Sequence, residues 1–156
     1  CCCRLGGPDA IKGMLFGNYQ RNSATAQAIW QFWAAAEIEQ TAMIGWWEDD
    51  APVRPHLVSD SYETAGRPSG CEQSDIKATS YVNYGHSAVV VVASWCPSAT
   101  NVTLGIDWHE LGLNATSVHV TQPAVPGVQV AAEHGHGQGS LTISGDVNGG
   151  AMLVIR

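Results

Sequence analysis

The alternation of hydrophobic and polar positions in the second half of the chain predicts β-strands. Val102, Leu104 and Ile106 alternate with more polar or smaller neighbours, and a period of two recurs at 118–120 and 141–143. Turn signals containing Gly or Pro separate these segments. We therefore predict seven strands, at residues 77–84, 88–95, 101–106, 117–121, 128–132, 140–144 and 151–155.

Seven short strands at this spacing are typical of an antiparallel β-sandwich. The fold class is therefore predicted to be mainly β. The side chains that we expect to fill the sandwich core are Val90, Val92, Val102, Leu104, Ile106, Val118, Val120, Leu141, Ile143, Leu153 and Ile155.

The first half of the chain follows a helical period instead. A helix over residues 24–38 is predicted, with Ser23 as its N-cap and apolar strands at 13–16 and 42–47 on either side. The side chains that define the helix's apolar stripe are Ala26, Ile29, Trp30 and Trp33. A strand-helix-strand segment normally belongs to a parallel sheet, which two strands cannot form alone. This half is therefore expected to be a piece of something larger.

These patterns divide the chain into three predicted parts. Residues 1–48 form the strand-helix-strand segment, residues 49–76 a loop or linker rich in Pro and Gly, and residues 77–156 the β-sandwich domain. We expect the third part to fold on its own.

Composition excludes several classes of protein. The chain has 156 residues, of which 45% are hydrophobic, so wholesale disorder is not expected. A net charge of -7 argues against partners such as nucleic acid or an anionic membrane surface, which are bound mainly through Lys and Arg. The longest apolar run, residues 88–93, is far shorter than the roughly 20 residues of a spanning helix.

Cysteines and sequons indicate a secreted glycoprotein. Five cysteines are present, three of them consecutive at residues 1–3, and Cys71 with Cys96 is the plausible internal disulfide. The paired spacings of a zinc site are absent from the sequence. Asn101 and Asn114 each begin an N-x-Thr sequon and are candidate glycosylation sites. Because no signal peptide is visible, we expect a processed product or a fragment.

Several short segments stand out by their order along the chain. They are 43–48 (MIGWWE), 51–53 (APV), 76–81 (IKATSY), 106–113 (IDWHELGL), 123–125 (PAV) and 149–154 (GGAMLV). This order resembles the C-terminal end of secreted glycoside-hydrolase-like proteins near the family-123 glycosidases. The resemblance spans nearly all of residues 11–156 and implies a catalytic (β/α)8 barrel followed by a small β-sandwich.

The resemblance implies that residues 11–47 are the last strand-helix-strand portion of the barrel. Active sites of such barrels lie at the C-terminal ends of strands. The resemblance implies that Trp46, Trp47 and Glu48 line a sugar subsite, whereas the residues by themselves favour a solvated acidic loop after a buried Trp pair. The catalytic carboxylates of the resembled enzymes lie on earlier strands, so no catalytic residue is assigned and the chain alone is expected to be inactive. No cofactor is implied.

Two other clusters are candidate sites. His134 and His136, with Glu133 and His119, have the spacing of a metal site on a strand, but the glycines around them favour a flexible hairpin tip. The segment 107–110 (DWHE) suggests acid-base chemistry, but a helical turn capped by its Asp is the simpler interpretation. We expect no metal.

Two functions follow from these observations. In the first, the chain is the non-catalytic C-terminal portion of a glycoside hydrolase, and its sandwich braces a barrel that binds carbohydrate. In the second, it is a standalone extracellular module that binds glycan or protein, or a structural subunit. A fragment should expose Ile29, Trp30 and Trp33, whereas an independent module should bury them. We expect the rest of the parent chain or another copy to cover Trp30 and Trp33, and the alternative cover is the sandwich's outer face near Trp95 and Trp108.

Overall fold

A computed structural model describes residues 9–15, 24–57, 71–96, 101–136, 140–143 and 150–156. Within these ranges the chain forms two α-helices, two 3-10 turns and nine strands. The helices are α1 (Asp9–Met14) and α2 (Ala24–Ala35), and the 3-10 turns are Ile38–Gln40 and Gln73–Asp75. The strands are β1 (Ala42–Ile44), β2 (Val53–Leu57), β3 (Ile76–Asn83), β4 (Ser87–Ser94), β5 (Val102–Ile106), β6 (His119–Gln122), β7 (Ala132–His136), β8 (Ser140–Ile143) and β9 (Gly150–Ile155). Neither helix is long and apolar enough to span a membrane.

The strands form two sheets, and every pair among the described strands is antiparallel. The larger sheet has the order β1-β3-β4-β9-β6-β7, and the smaller has the order β2-β5-β8. The predicted mainly β, antiparallel sandwich is confirmed.

The core between the two sheets contains the side chains that the alternation predicts. The predicted positions found in this core are Val90, Val92, Val102, Leu104, Ile106, Val118, Val120, Leu153 and Ile155. The side chains of Leu141 and Ile143 lie outside the described residues. A period of two therefore identified the buried face of β5 and of the segment that leads into β6.

A second core lies on the other face of the larger sheet. Val89 and Val91 of β4 and Met152 of β9 pack there with side chains of α1 and α2, among them Ile11 and Ile29. The described part of the chain is therefore three layers deep, with helices on one face of the larger sheet and the smaller sheet on its other face.

Two buried hydroxyl groups attach α1 to the larger sheet. The Thr79 hydroxyl donates to the Leu15 carbonyl oxygen at 3.0 Å, and the Tyr81 hydroxyl donates to the Met14 carbonyl oxygen. The last carbonyls of a helix have no partner within the helix, so β3 supplies donors that the end of α1 lacks.

The predicted parallel strand-helix-strand segment is wrong. Residues 13 and 14 end α1 rather than forming a strand, and residue 16 lies outside the described residues. The second predicted strand shortens to β1, which pairs antiparallel with β3. A short apolar run has the same composition in a buried helix as in a buried strand, so periodicity alone could not separate them. Within the described residues, α1, α2 and β1 do not form the parallel strand-helix-strand end of a barrel.

Helix α2 ends three residues earlier than predicted, and one residue of its predicted apolar stripe is exposed. Glu37 adopts a left-handed conformation with φ of 53°, which ends the helical path before the 3-10 turn. The buried face is formed by Ala26, Ala28, Ile29 and Phe32. Trp30 is 44% exposed, so it does not belong to the buried stripe that we predicted. Ser23, the predicted N-cap, lies outside the described residues.

The segment after β6 also differs from the prediction. Of the strand expected at 128–132, only residue 132 is in a strand, where β7 begins; the Gln129 side chain holds the preceding residues as a turn beside β9. Its amide nitrogen donates to the Met152 carbonyl oxygen at 3.0 Å, and its amide oxygen accepts from the Met152 N–H at 2.8 Å. The chain then returns as β7, through the residues that we expected to be a hairpin tip. Gly135, with φ of 85°, suits the irregular pairing of β6 and β7.

The predicted linker contributes a strand and a cross-link. Strand β2 pairs with β5 and forms an edge of the smaller sheet. The side-chain amide of Gln73 bonds to its outer edge, donating to Pro55 O at 2.6 Å and accepting from Leu57 N–H at 2.9 Å. Cys71 and Cys96 form a disulfide with Cα atoms 4.8 Å apart. The division into three folding units stays a prediction, and residues 1–3 lie outside the described residues.

Leu104→Ala tests the sandwich core. Leu104 is fully buried between the sheets, so we expect its truncation to lower the free energy of unfolding by about 2–5 kcal/mol. Val130→Ala is the control, because Val130 is 79% exposed and its truncation should change the stability by less than about 0.5 kcal/mol. Urea unfolding measures both values. Equal effects of the two substitutions would contradict the assigned core.

Candidate functional site

A groove of about 400 Å³ lies where the chain leaves β1. One wall is the first part of β3, from Ile76 to Ala78, and the other is β2 with the Gln73 side chain. Trp46 and Glu48 close one end. Because β1 pairs only with residues 80–82 of β3, the first half of β3 is left to form this wall.

The turn after β1 positions the two tryptophans. The Glu48 N–H donates to the Gly45 carbonyl oxygen at 3.0 Å, which folds residues 45–48 into a turn. The rings of Trp46 and Trp47 meet edge to face, with centroids 5.8 Å apart and an interplanar angle of 81°. A Cβ atom at Gly45 would collide with the Trp47 ring, so this close approach requires glycine. The pair is therefore fixed by local sequence.

Two basic side chains lie at this turn, one against a ring and one against the backbone. The Lys77 ammonium sits 4.3 Å from the Trp46 ring centroid, a cation–π contact that covers part of this ring. The Arg54 guanidinium donates to the Asp49 carbonyl oxygen at 2.5 Å and ties the turn to β2. Trp47 is 50% exposed and thus offers more ring surface to solvent than the half-buried Trp46.

The structure brings the predicted Trp46, Trp47 and Glu48 together, but at the end of an antiparallel edge strand rather than at a barrel's active-site face. Sequence reasoning missed Lys77 and Arg54 as groove residues. The alternation of β3 could have singled out Lys77. Its neighbours Ile76 and Ala78 face the sandwich core, so the Lys77 side chain lies on the other face of the strand.

The histidine cluster does not form a metal site in the part of the chain that is described. There, the one group of three ligand-type side chains within reach of a single ion is Cys71, Asp75 and Cys96. Its two sulfurs form the disulfide, so neither is available as a thiolate. The side chain of His136 lies outside the described residues.

Two of the cluster's members line a second groove of about 790 Å³ at the C-terminal end of α2. His119 and Glu133 stand on its rim with Arg156, above a floor that includes Phe32 and Val154. The Arg156 guanidinium also donates to the Ala35 carbonyl oxygen at 3.1 Å, near the end of α2.

The segment 107–113 has the structural role that its residues predict. The Asp107 carboxylate accepts from the N–H groups of His109 and Glu110, each at 3.1 Å, and so caps a helical turn. Leu111 is fully buried, and Trp108 packs against the sandwich core.

The environment of His134 changes the pKa of its side chain. Burial lowers the pKa of its imidazole below the ordinary 6.5, and the nearby Glu133 carboxylate opposes part of this effect. Its Nε2 atom is buried and has no hydrogen-bond partner in the described structure. The folded protein therefore favours the neutral form of this imidazole.

Comparison with known families identifies the class of protein to which this chain belongs. Residues 25–156 match a family model described as "Glycoside hydrolase 123, C-terminal domain". The match covers most of the chain, and the protein belongs to this family. The resemblance to family-123 glycosidases is thereby confirmed. Searches of curated proteins and of solved structures each returned no match.

His134→Gln tests the pH dependence that burial predicts. Below about pH 6.5 the unfolded chain binds a proton at this imidazole before the folded protein does, so the free energy of unfolding should fall as the pH decreases. The substitution should remove this part of the pH dependence. His109→Gln, at a side chain that is 96% exposed, should leave it intact. Identical pH profiles for the wild type and His134→Gln, measured by thermal unfolding, would refute the assignment.

Proposed function

We propose that this domain is the non-catalytic C-terminal portion of a secreted glycoside-hydrolase-like protein, in which it braces a carbohydrate-active barrel. The observation that carries the proposal is the composition of the groove beside Trp46. Among the described residues that line it, the groove combines one aromatic side chain, Trp46, and two basic side chains, Arg54 and Lys77, with one carboxylate, Glu48.

A single carboxylate supports a binding role rather than catalysis. Glycoside hydrolysis normally uses two carboxyl groups facing each other across the scissile bond, about 5–5.5 Å apart for retention and about 6.5–9.5 Å for inversion. Asp49 and Asp50 follow Glu48 directly, both are exposed, and neither lines the groove. The catalytic pair is therefore assigned to the barrel of the parent protein.

The same turn supplies the groups that a sugar subsite needs. The exposed ring of Trp47 can pack against the C–H face of a sugar, while the Glu48 carboxylate accepts hydrogen bonds from hydroxyl groups. Lys77 and Arg54 add donors along the groove. We assign Trp46, Trp47 and Glu48 to a carbohydrate subsite that the barrel completes.

Exposed apolar side chains support a contact surface for bracing. Trp30 on α2 is 44% exposed, and Met43 on β1 is 38% exposed. Trp33 contacts the Tyr81 ring at 5.9 Å between centroids, and Met43 is paired with Tyr81 across the strands. Large apolar groups on one side of a domain mark an interaction surface. We propose that the rest of the parent chain or another copy of this chain covers this surface.

Secretion is the compartment that best suits the disulfide. The bond between Cys71 and Cys96 joins residues 25 positions apart, and such cross-links persist in oxidising environments. The C-terminal domain of a glycoside hydrolase fits the same location.

One observation favours the alternative of a standalone module that binds glycan or protein, or serves as a structural subunit. Ile29 and Phe32 of α2 are buried within the chain itself, against the larger sheet. A barrel fragment would instead leave its helix stripe and its parallel strand edges uncovered, and the described strands pair antiparallel throughout.

We expect the isolated 156-residue chain to release no aryl aglycone from aryl glycosides. Without a second carboxylate, general acid catalysis worth about 10²–10⁴-fold is missing. A spectrophotometric assay with several aryl glycosides checks this. Turnover that disappears in Glu48→Gln but persists in Glu110→Gln, a control outside the groove, would overturn the non-catalytic assignment.

We expect the isolated chain to associate at micromolar concentration through the surface that contains Trp30. Sedimentation velocity should show species heavier than 16.5 kDa, and Trp30→Ser should shift the protein toward the monomer. Val130→Ser is the matched control, since Val130 is 79% exposed on a different segment and should leave association unchanged. A monomer that is unaffected by either substitution would contradict this expectation.

A further inference from the structure

The geometry points to Asn114 as the N-glycan acceptor of this protein and excludes Asn101 from that role. This inference goes beyond the proposed bracing function and depends only on secretion. The sequence offers both sequons equally, so the distinction comes from the conformation of each.

The Asn114 sequon is folded into a compact local turn. The Asn114 side-chain oxygen accepts two hydrogen bonds, from the Thr116 backbone N–H at 3.1 Å and from the Thr116 hydroxyl at 2.9 Å. The Ser117 N–H and hydroxyl both donate to the Asn114 carbonyl oxygen, at 3.0 and 3.1 Å. This Asx turn brings the two groups that define a sequon, the amide and the hydroxyl, against each other.

The nitrogen that would be modified is accessible. Asn114 is exposed, and within the described residues its Nδ2 atom makes no hydrogen bond. Because every contact of the turn within residues 114–117 is local, the turn does not depend on a distant part of the fold. It can therefore form while the chain is being modified.

The Asn101 sequon lies in extended backbone instead. Val102 begins β5, is fully buried in the sandwich core and pairs with both β2 and β8. Thr103 lies between His56 and Thr142 in the middle of the smaller sheet. Extended backbone holds residues i and i+2 about 6.6 Å apart, so this sequon has no turn that brings its amide to its hydroxyl.

The position of Asn114 is compatible with the proposed carbohydrate groove. Its loop approaches the tip of the β3–β4 hairpin, where a Cβ atom at Gly112 would lie 3.0 Å from the Gly85 nitrogen. The groove lies at the opposite end of β3, from Ile76 to Ala78. A glycan on Asn114 would therefore leave the groove open.

The modification requires a lipid-diphosphate-linked oligosaccharide and a transferase of the secretory pathway. A bond forms between Nδ2 of Asn114 and the anomeric carbon of the first sugar, and the bond from that carbon to the diphosphate oxygen breaks. The lipid diphosphate leaves with the electron pair, and Nδ2 gives up one proton to the transferase.

Secretion of the whole chain from a eukaryotic host, followed by peptide mass spectrometry, tests this inference. We expect the wild type to carry glycan on the peptide that contains Asn114, and the peptide that contains Asn101 to be unmodified. N114Q and T116A should each lose the glycan completely, while N101Q should keep it. Thr116→Ser, which retains the hydroxyl, should also keep it.

Other outcomes would overturn the inference. Glycan on Asn101 together with an unmodified Asn114 would contradict the inference. A secreted chain in which both asparagines are unmodified would contradict it as well. Circular dichroism of each secreted variant separates loss of the acceptor from failure to fold. Absence of glycosidase activity leaves this result unaffected, so the inference and the proposed function fail independently.

Discussion

Burial of β4 on both of its faces is the constraint on which the rest of this structure depends. Its side chains alternate between the two cores, with Val90 and Val92 facing the smaller sheet and Val89 and Val91 facing the helices. All four are at most 3% exposed. Since a strand buried on one face alternates polar and apolar residues, a continuous run of valines needs two apolar layers around it.

The two layers meet this requirement with different elements. Strands β2, β5 and β8 cover one face, and α1 with α2 covers the other. Thr79 and Tyr81 of the neighbouring β3 then bond to the end of α1, so the helical layer is held by polar contacts as well as by apolar burial. The groove beside Trp46 results from the strand order of the larger sheet. Because β1 is short, the first half of β3 has no strand beside it on that side.

Sequence reasoning recovered what local periodicity determines. Alternation along β5 identified the face of that strand in the sandwich core, and the Cys71–Cys96 pair and the cap at Asp107 followed from residue type and spacing. It failed where a choice depends on partners distant in sequence. The run at 13–15 is apolar in either a helix or a strand, and the interaction of Gln129 with Met152, which makes a turn of an expected strand, leaves no local signal.

The candidate site shows the same division. The resemblance to family-123 glycosidases singled out Trp46, Trp47 and Glu48, which the turn after Gly45 does bring together. The partners from other elements, Lys77 and Arg54, emerge only when β2 and β3 are placed beside the turn. A sequence motif alone could not predict that the site lies at the end of an antiparallel edge strand.

The central claim is that one sheet supports both cores, and native-state hydrogen exchange of the β4 amides in Ile29→Ala tests it most directly. Ile29 is buried in the helical core and lies on the face of the sheet away from the sandwich. If the cores share β4, the substitution should accelerate exchange at Val89 to Val92 by the same factor as at the β5 amides, because both report global unfolding. Unchanged protection of β4, with faster exchange confined to α2, would show that the helical layer is separable and would contradict the account.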